Sequence, residues 1–170
     1  MAFLIGQSTA TTVQLLGNFS PDDGLAWSVY VCAESGTLDT LYATFGGSGT
    51  AGNIQLAIYN ADGTTKLGNT SNITYSGAAT LSGAVSPGVS VVADTSYVLA
   101  ITGDGNYLNP YYATGSDCKI MQPVTFPTWP GSLSRTSGFG TDASAWTIWG
   151  EGSTGGIVPQ AMANYRMRTA

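Results

Sequence analysis

Histidine is absent from this chain, and charge is scarce. Without an imidazole base there is no Ser-His-Asp or Cys-His device for nucleophilic catalysis, and no histidine can complete a zinc site. Only 9% of the 170 residues are Asp, Glu, Lys or Arg, against roughly 25% in ordinary soluble proteins. Five basic residues stand against ten acidic ones, for a formal charge of -5. Nucleic acid demands a basic footprint that neutralises phosphate, and this chain does not supply one. Anionic membrane surfaces are disfavoured for the same reason. No apolar run approaches the roughly 20 residues of a spanning helix. The opening MAFLIGQSTATT lacks a basic n-region and has only a short apolar stretch. It does not read as a secretory signal, so either a signal has been removed or the protein reaches its place by assembly, and assembly is the favoured expectation. Cysteine is limited to Cys32 and Cys118. They read as two buried free thiols, with one disulfide as the alternative.

What the chain does have is alternation. In NIQLAIYN, Ile54, Leu56 and Ile58 share one face, and Gln55, Ala57 and Tyr59 the other. SYVLAIT sets Tyr97, Leu99 and Ile101 against Val98, Ala100 and Thr102, and LDTLYATF puts Leu41, Ala43 and Phe45 on one side. A period of two is the mark of half-buried antiparallel strands. Turn signals separate the runs: SPDDG, GGSGTAGN, ADGT, SPG, GDGN and WPGS. Asp62-Gly63 is the strongest hairpin signal, because glycine accepts positive φ. The expected strands are 11–18, 26–34, 37–45, 53–60, 70–76, 78–85, 95–102, 107–114, 117–125, 145–150 and 160–168. Strands this short and frequent predict an all-β antiparallel sandwich, and the length suits a single domain over 1–170. Tyr97 is expected to bury its ring while its hydroxyl finds a partner near an edge.

Residues 53–105 carry a resemblance. Their pieces are Leu56-Ala57-Ile58-Tyr59, the Asp62-Gly63 turn, the Pro87-Gly88 corner and the Thr95–Ile101 strand. Together they resemble jelly-roll-like β-sandwich domains of tailed-phage virion proteins and bacterial surface proteins. The resemblance covers about a third of the chain and implies a jelly-roll fold. It does not select a function, since such sandwiches carry capsid decoration, fibre heads and sugar-binding modules alike.

Candidate chemistry is thin. A Ser-Lys device would have to use Lys66 or Lys119, and Lys66 lies beside a turn. Asp23, Asp62, Asp104 and Asp142 each neighbour Gly or Thr, and Asp22 lies within the same SPDDG turn signal, as turn carboxylates do. Asp104 in GDGN is the one place that resembles a calcium loop, without EF-hand spacing. No other metal and no cofactor is expected. The sequons at Asn18, Asn69 and Asn72 matter only in a secreted protein. Aromatic residues say more. Tyr107, Tyr111 and Tyr112 cluster in and around one loop, Trp129 sits between Pro127 and Pro130, and Trp146 and Trp149 alternate along AWTIWGEG. Exposed aromatics serve as sugar platforms or as interface anchors. Trp129 is expected to be the most exposed, and one of Trp146 and Trp149 to face outward. Arg166 and Arg168 form a basic end that could pair with acidic neighbours.

These features lead to a non-enzymatic structural protein on the exterior of a tailed-phage particle, as capsid decoration, cement or tail accessory. Its partners would be other virion proteins and copies of itself, in trimers or lattice contacts. The alternative is a carbohydrate-binding sandwich on a cell surface or outside the cell, using Tyr107, Tyr111, Tyr112, Trp129 and Trp149 against glycans. Neither reading involves nucleic acid or a membrane.

Overall fold

The structure is a computed structural model that describes residues 1–9, 25–46, 51–104, 112–121, 124–133 and 142–155. Eleven strands lie within these segments: β1 Ala2–Gly6, β2 Leu25–Val31, β3 Gly36–Phe45, β4 Gly52–Tyr59, β5 Lys66–Asn69, β6 Ile73–Tyr75, β7 Ala79–Val91, β8 Ser96–Gly103, β9 Tyr112–Met121, β10 Asp142–Trp146 and β11 Ile148–Thr154. One sheet has four strands in the order β1-β11-β3-β7. The other has seven, in the order β10-β9-β2-β8-β4-β5, with β6 also on β4. Every pairing is antiparallel. The expected β-sandwich is present, and no described residue is helical.

Alternation builds the main core between the sheets. Ile54, Leu56 and Ile58 of β4 and Tyr97, Leu99 and Ile101 of β8 meet Leu41, Ala43 and Phe45 of β3, as their spacing predicts, and Leu38 joins them across the register shift at Asp39. Tyr97 is buried, and its hydroxyl accepts the Val92 N–H at 3.1 Å, so that expectation holds. At about 25 cal/mol per Å² of apolar surface, a contiguous core of this kind is the main stabilising term. The sheets also join at their margins. Ala33 N–H donates to the Leu4 carbonyl at 2.7 Å, and Thr70 pairs with Val85 in an isolated bridge.

One expectation was too modest. The strands were read as half-buried, yet Leu25, Trp27, Ala57, Tyr59, Val98 and Ala100 form a second core on the far side of the seven-stranded sheet. Segment 124–133 covers them with Val124, Trp129 and Leu133. It is fastened by Leu133 N–H to the Gly63 carbonyl at 2.7 Å and by the Tyr59 hydroxyl to the Pro130 carbonyl at 2.7 Å. A strand covered on both faces reads as almost continuously apolar, and LAWSVYV does.

Strand boundaries differ in informative places. β1 was not anticipated; five apolar residues carry too little pattern to separate a strand from other apolar starts. The expected strand 70–76 divides, because Thr70 replaces a ladder step with its side chain: its Oγ1 accepts Leu56 N–H at 3.0 Å. The expected 145–150 is two strands, and the chain crosses between sheets at Thr147. The expected 107–114 and 117–125 become one strand, β9, with 107–111 and 122–123 outside the described residues. The SPG corner is not a strand end. Register steps from Leu38↔Val89 to Thr40↔Ala84, so residues 85–88 bulge opposite Asp39 alone while β7 continues. Proline is tolerated there because the bulge takes its nitrogen out of the ladder. The strands expected at 11–18 and 160–168 lie outside the described residues.

Candidate functional site

The four-stranded sheet turns Leu41, Ala43 and Ile148 into the core. Their neighbours along the strands therefore face away from it. On that outer face, one row runs Gly6–Trp149–Tyr42–Ser82 across β1, β11, β3 and β7, and the next runs Phe3–Glu151–Thr40–Ala84. Tyr42 and Trp149 stack with ring centroids 5.1 Å apart and planes 5° from parallel. Glu151 accepts from Trp149 Nε1 at 3.4 Å, and its carboxylate neighbours the Tyr42 hydroxyl. Burial, then the adjacent Glu151 carboxylate, raise the Tyr42 pKa above its ordinary value. The Thr44 and Thr80 hydroxyls lie 3.1 Å apart in the adjoining row. Phe3 is 40% exposed at the margin of this face.

No Lys or Arg occurs in any strand of this sheet. Its edge strand β7, ATLSGAVSPGVSV, contains no ionisable residue, and Ala79, Thr80, Ser82, Ala84, Ser86, Pro87, Gly88 and Ser90 are exposed. The face offers aromatic surface, hydroxyls and one carboxylate. That set can bind.

The residues singled out from the sequence do not converge. Trp129 is not exposed: only 9% of its surface is accessible, its ring packs against Tyr59, and its Nε1 donates to Gln55 Oε1 at 2.7 Å. The flanking prolines shape a segment that lies down on the second core rather than one that projects. Trp146 is within the main core, while Trp149 is on the outer face yet 9% accessible, so neither tryptophan is openly exposed. Tyr112 opens β9, paired with Trp146. Tyr107, Tyr111, Arg166 and Arg168 lie outside the described residues.

Asp104 is committed to the fold. Its two carboxylate oxygens accept Asn53 N–H at 2.5 Å and Asn53 Nδ2 at 3.1 Å, closing the end of the β4–β8 ladder. Among the described residues no group of three or more His, Cys, Asp or Glu could hold a metal. Cys32 is a buried free thiol that donates to the Glu34 carbonyl at 3.1 Å. Burial is the first cause that raises its pKa. Side-chain placement of Cys118 lies outside the described residues.

Sequence reasoning missed Tyr42, Glu151 and Phe3. The alternation of LDTLYATF already puts Tyr42 opposite Leu41 and Ala43. Its stacking partner is more than a hundred residues away, and local pattern carries no trace of that pairing. No protein-family model matches the chain, and no curated protein matches it.

Proposed function

We propose that this protein is a non-enzymatic structural component that acts by protein–protein contact, on the exterior of a tailed-phage particle as decoration, cement or tail accessory. The observation that carries the contact reading is β7, a 13-residue edge strand without a charged side chain. Exposed edges are templates for pairing, and most proteins blunt them with lysine or other charges. Among the described residues the bulge at Val85–Gly88 and the Thr70–Val85 bridge interrupt the edge, and the rest of it is left unpaired. Uncharged Ser, Thr, Ala and Gly side chains shed water at lower cost than ions do, which suits a surface that spends its life against a neighbour.

The strand order supports the jelly-roll part of the reading. Leaving aside β6 and the β9–β10 pair, the remaining strands divide between the sheets as β1, β3, β7 and β11 against β2, β4, β5 and β8, with β4 and β5 a hairpin within one sheet. They lie as β1-β11-β3-β7 and β2-β8-β4-β5, the arrangement that two nested Greek keys give. The virion location rests on the resemblance of residues 53–105.

The test is co-purification. The protein should occur in purified particles at a fixed ratio to a shell or tail protein, and purified wild type should bind particles that lack it. Ser86→Lys and Ser90→Lys should abolish that binding while leaving the thermal midpoint unchanged. Absence from particles would refute the location. Unimpaired binding by both variants would refute β7 as the contact.

A further inference from the structure

We infer that the outer face of the four-stranded sheet carries a binding subsite for a neutral hexopyranose, built on the free face of Tyr42. This goes beyond the assembly reading and uses a different stretch of surface from Ser86 and Ser90. The 5.1 Å centroid separation of Tyr42 and Trp149 is close to the roughly 4.8 Å between neighbouring strands. The two rings therefore face one another along the line that runs across the sheet. Trp149 covers the β11 side of Tyr42. The opposite ring face looks toward β7, where the cross-strand partner is Ser82, an exposed small residue. Tyr42 is a wall, and β7 is a low shelf beside it.

The shelf is lined for a sugar. An aromatic face is the negative end of a quadrupole and attracts the weakly positive C–H edges of a pyranose. The Thr80 and Thr44 hydroxyls, 3.1 Å apart, flank the wall on one side. Ser82 is the floor, and the Glu151 carboxylate, in the Thr40 row beside the Tyr42 hydroxyl, is on the other side. These groups donate to and accept from sugar hydroxyls. The charge pattern selects the class: the strands of this sheet carry Glu151 and Asp39 but no Lys or Arg, so neutral hexoses are favoured over uronic and sialic acids. The stacking of Trp149 on Tyr42, with Trp149 Nε1 donating to Glu151, sets the wall before ligand arrives, which lowers the ordering cost of binding.

Saturation-transfer NMR and titration calorimetry on the full chain test this with glucose, galactose, mannose and N-acetylglucosamine and their oligosaccharides, with polygalacturonate as the anionic comparison. The expected result is binding of at least one neutral sugar, with a dissociation constant on the order of 1 mM for a single hexose, and none of polygalacturonate. Tyr42→Ala should weaken it at least about tenfold, a change of one decade in the constant. Ser82→Trp, which fills the shelf without touching the core, should abolish it, and Tyr42→Phe should retain most of it. Val31→Ser, on the other sheet, should leave it unchanged. Failure of every neutral sugar to bind would overturn the inference, as would binding that survives both Tyr42→Ala and Ser82→Trp. Particle binding by the Tyr42→Ala variant, whose change lies on β3 and off the β7 edge, separates this outcome from failure of the assembly reading.

Discussion

Trp129 shows how one side chain can hold a layer in place. Its indole fills the second core and its N–H reaches Gln55 Oε1, while Gln55 Nε2 donates onward to Asn72 Oδ1 at 2.7 Å. Trp129→Ala removes both packing and a hydrogen bond, and should destabilise the protein by about 3–5 kcal/mol in urea unfolding. Trp129→Phe keeps most of the packing but strands a buried carbonyl oxygen, and should cost about 1–3 kcal/mol. Tyr59 lies under the same segment, and burial pushes its pKa well above the ordinary value of 10.0. Because the folded state favours the protonated phenol, its contribution is intact below pH 10 and is lost as pH rises beyond it. Tyr59→Phe should therefore flatten the alkaline fall in stability, as read from thermal midpoints between about pH 9 and 11. Asp62 behaves oppositely. Hydrogen bonds from the Thr64 hydroxyl and N–H, at 2.7 and 2.9 Å, lower its pKa below the ordinary 3.8. Its contribution is present above that value and disappears as pH falls through the lowered one. A carboxyl-carbon NMR titration should place its midpoint below those of free aspartates.

At the scale of elements, β1 and the β4–β5 hairpin depend on glycine for different reasons. Gly63 has φ +73° and lets the Asp62-Gly63 turn close, with its N–H donating to the Asn60 carbonyl at 3.0 Å. Gly6 has φ +107°, and a Cβ there would lie 2.2 Å from the Ile148 carbonyl oxygen. Gly6→Ala should thus loosen β1 from β11 and destabilise the fold by about 1–3 kcal/mol. Hydrogen exchange should locate the loss at Gln7 N–H, which donates to the Ile148 carbonyl at 2.9 Å. Thr70 is a second joint. Its Oγ1 is the acceptor for Leu56 N–H, so Thr70→Val should cost about 1–3 kcal/mol and unprotect the Leu56 amide. The turn at Asp62-Gly63 was legible because its residues specify it locally. The Thr70 joint was not, because a threonine that completes a ladder reads in sequence like any strand threonine.

For the whole molecule, low charge is the dominant property. A net charge of -5 on 170 residues gives modest repulsion between copies at neutral pH, and it vanishes near the sequence pI of about 4.2. Light scattering should show self-association rising steeply as pH approaches that value, and charged substitutions on β7 should blunt the rise. The same scarcity leaves the strands of the four-stranded sheet without Lys or Arg and makes its edge strand cheap to desolvate.

The amino-acid order alone determined the all-β class, the inward set of β3, β4 and β8, and the Asp62-Gly63 turn. Each follows from steric and hydrophobic rules that act over two to four residues. Tertiary structure decided what those rules cannot reach. It laid Trp129 down on a second core instead of leaving it in solvent. It carried β7 through Pro87 by opposing four residues to Asp39, and it brought Trp149 and Glu151 onto Tyr42. Those outcomes depend on which strands become neighbours, and neighbours are chosen by the burial of the entire chain, not by the residues beside them in sequence.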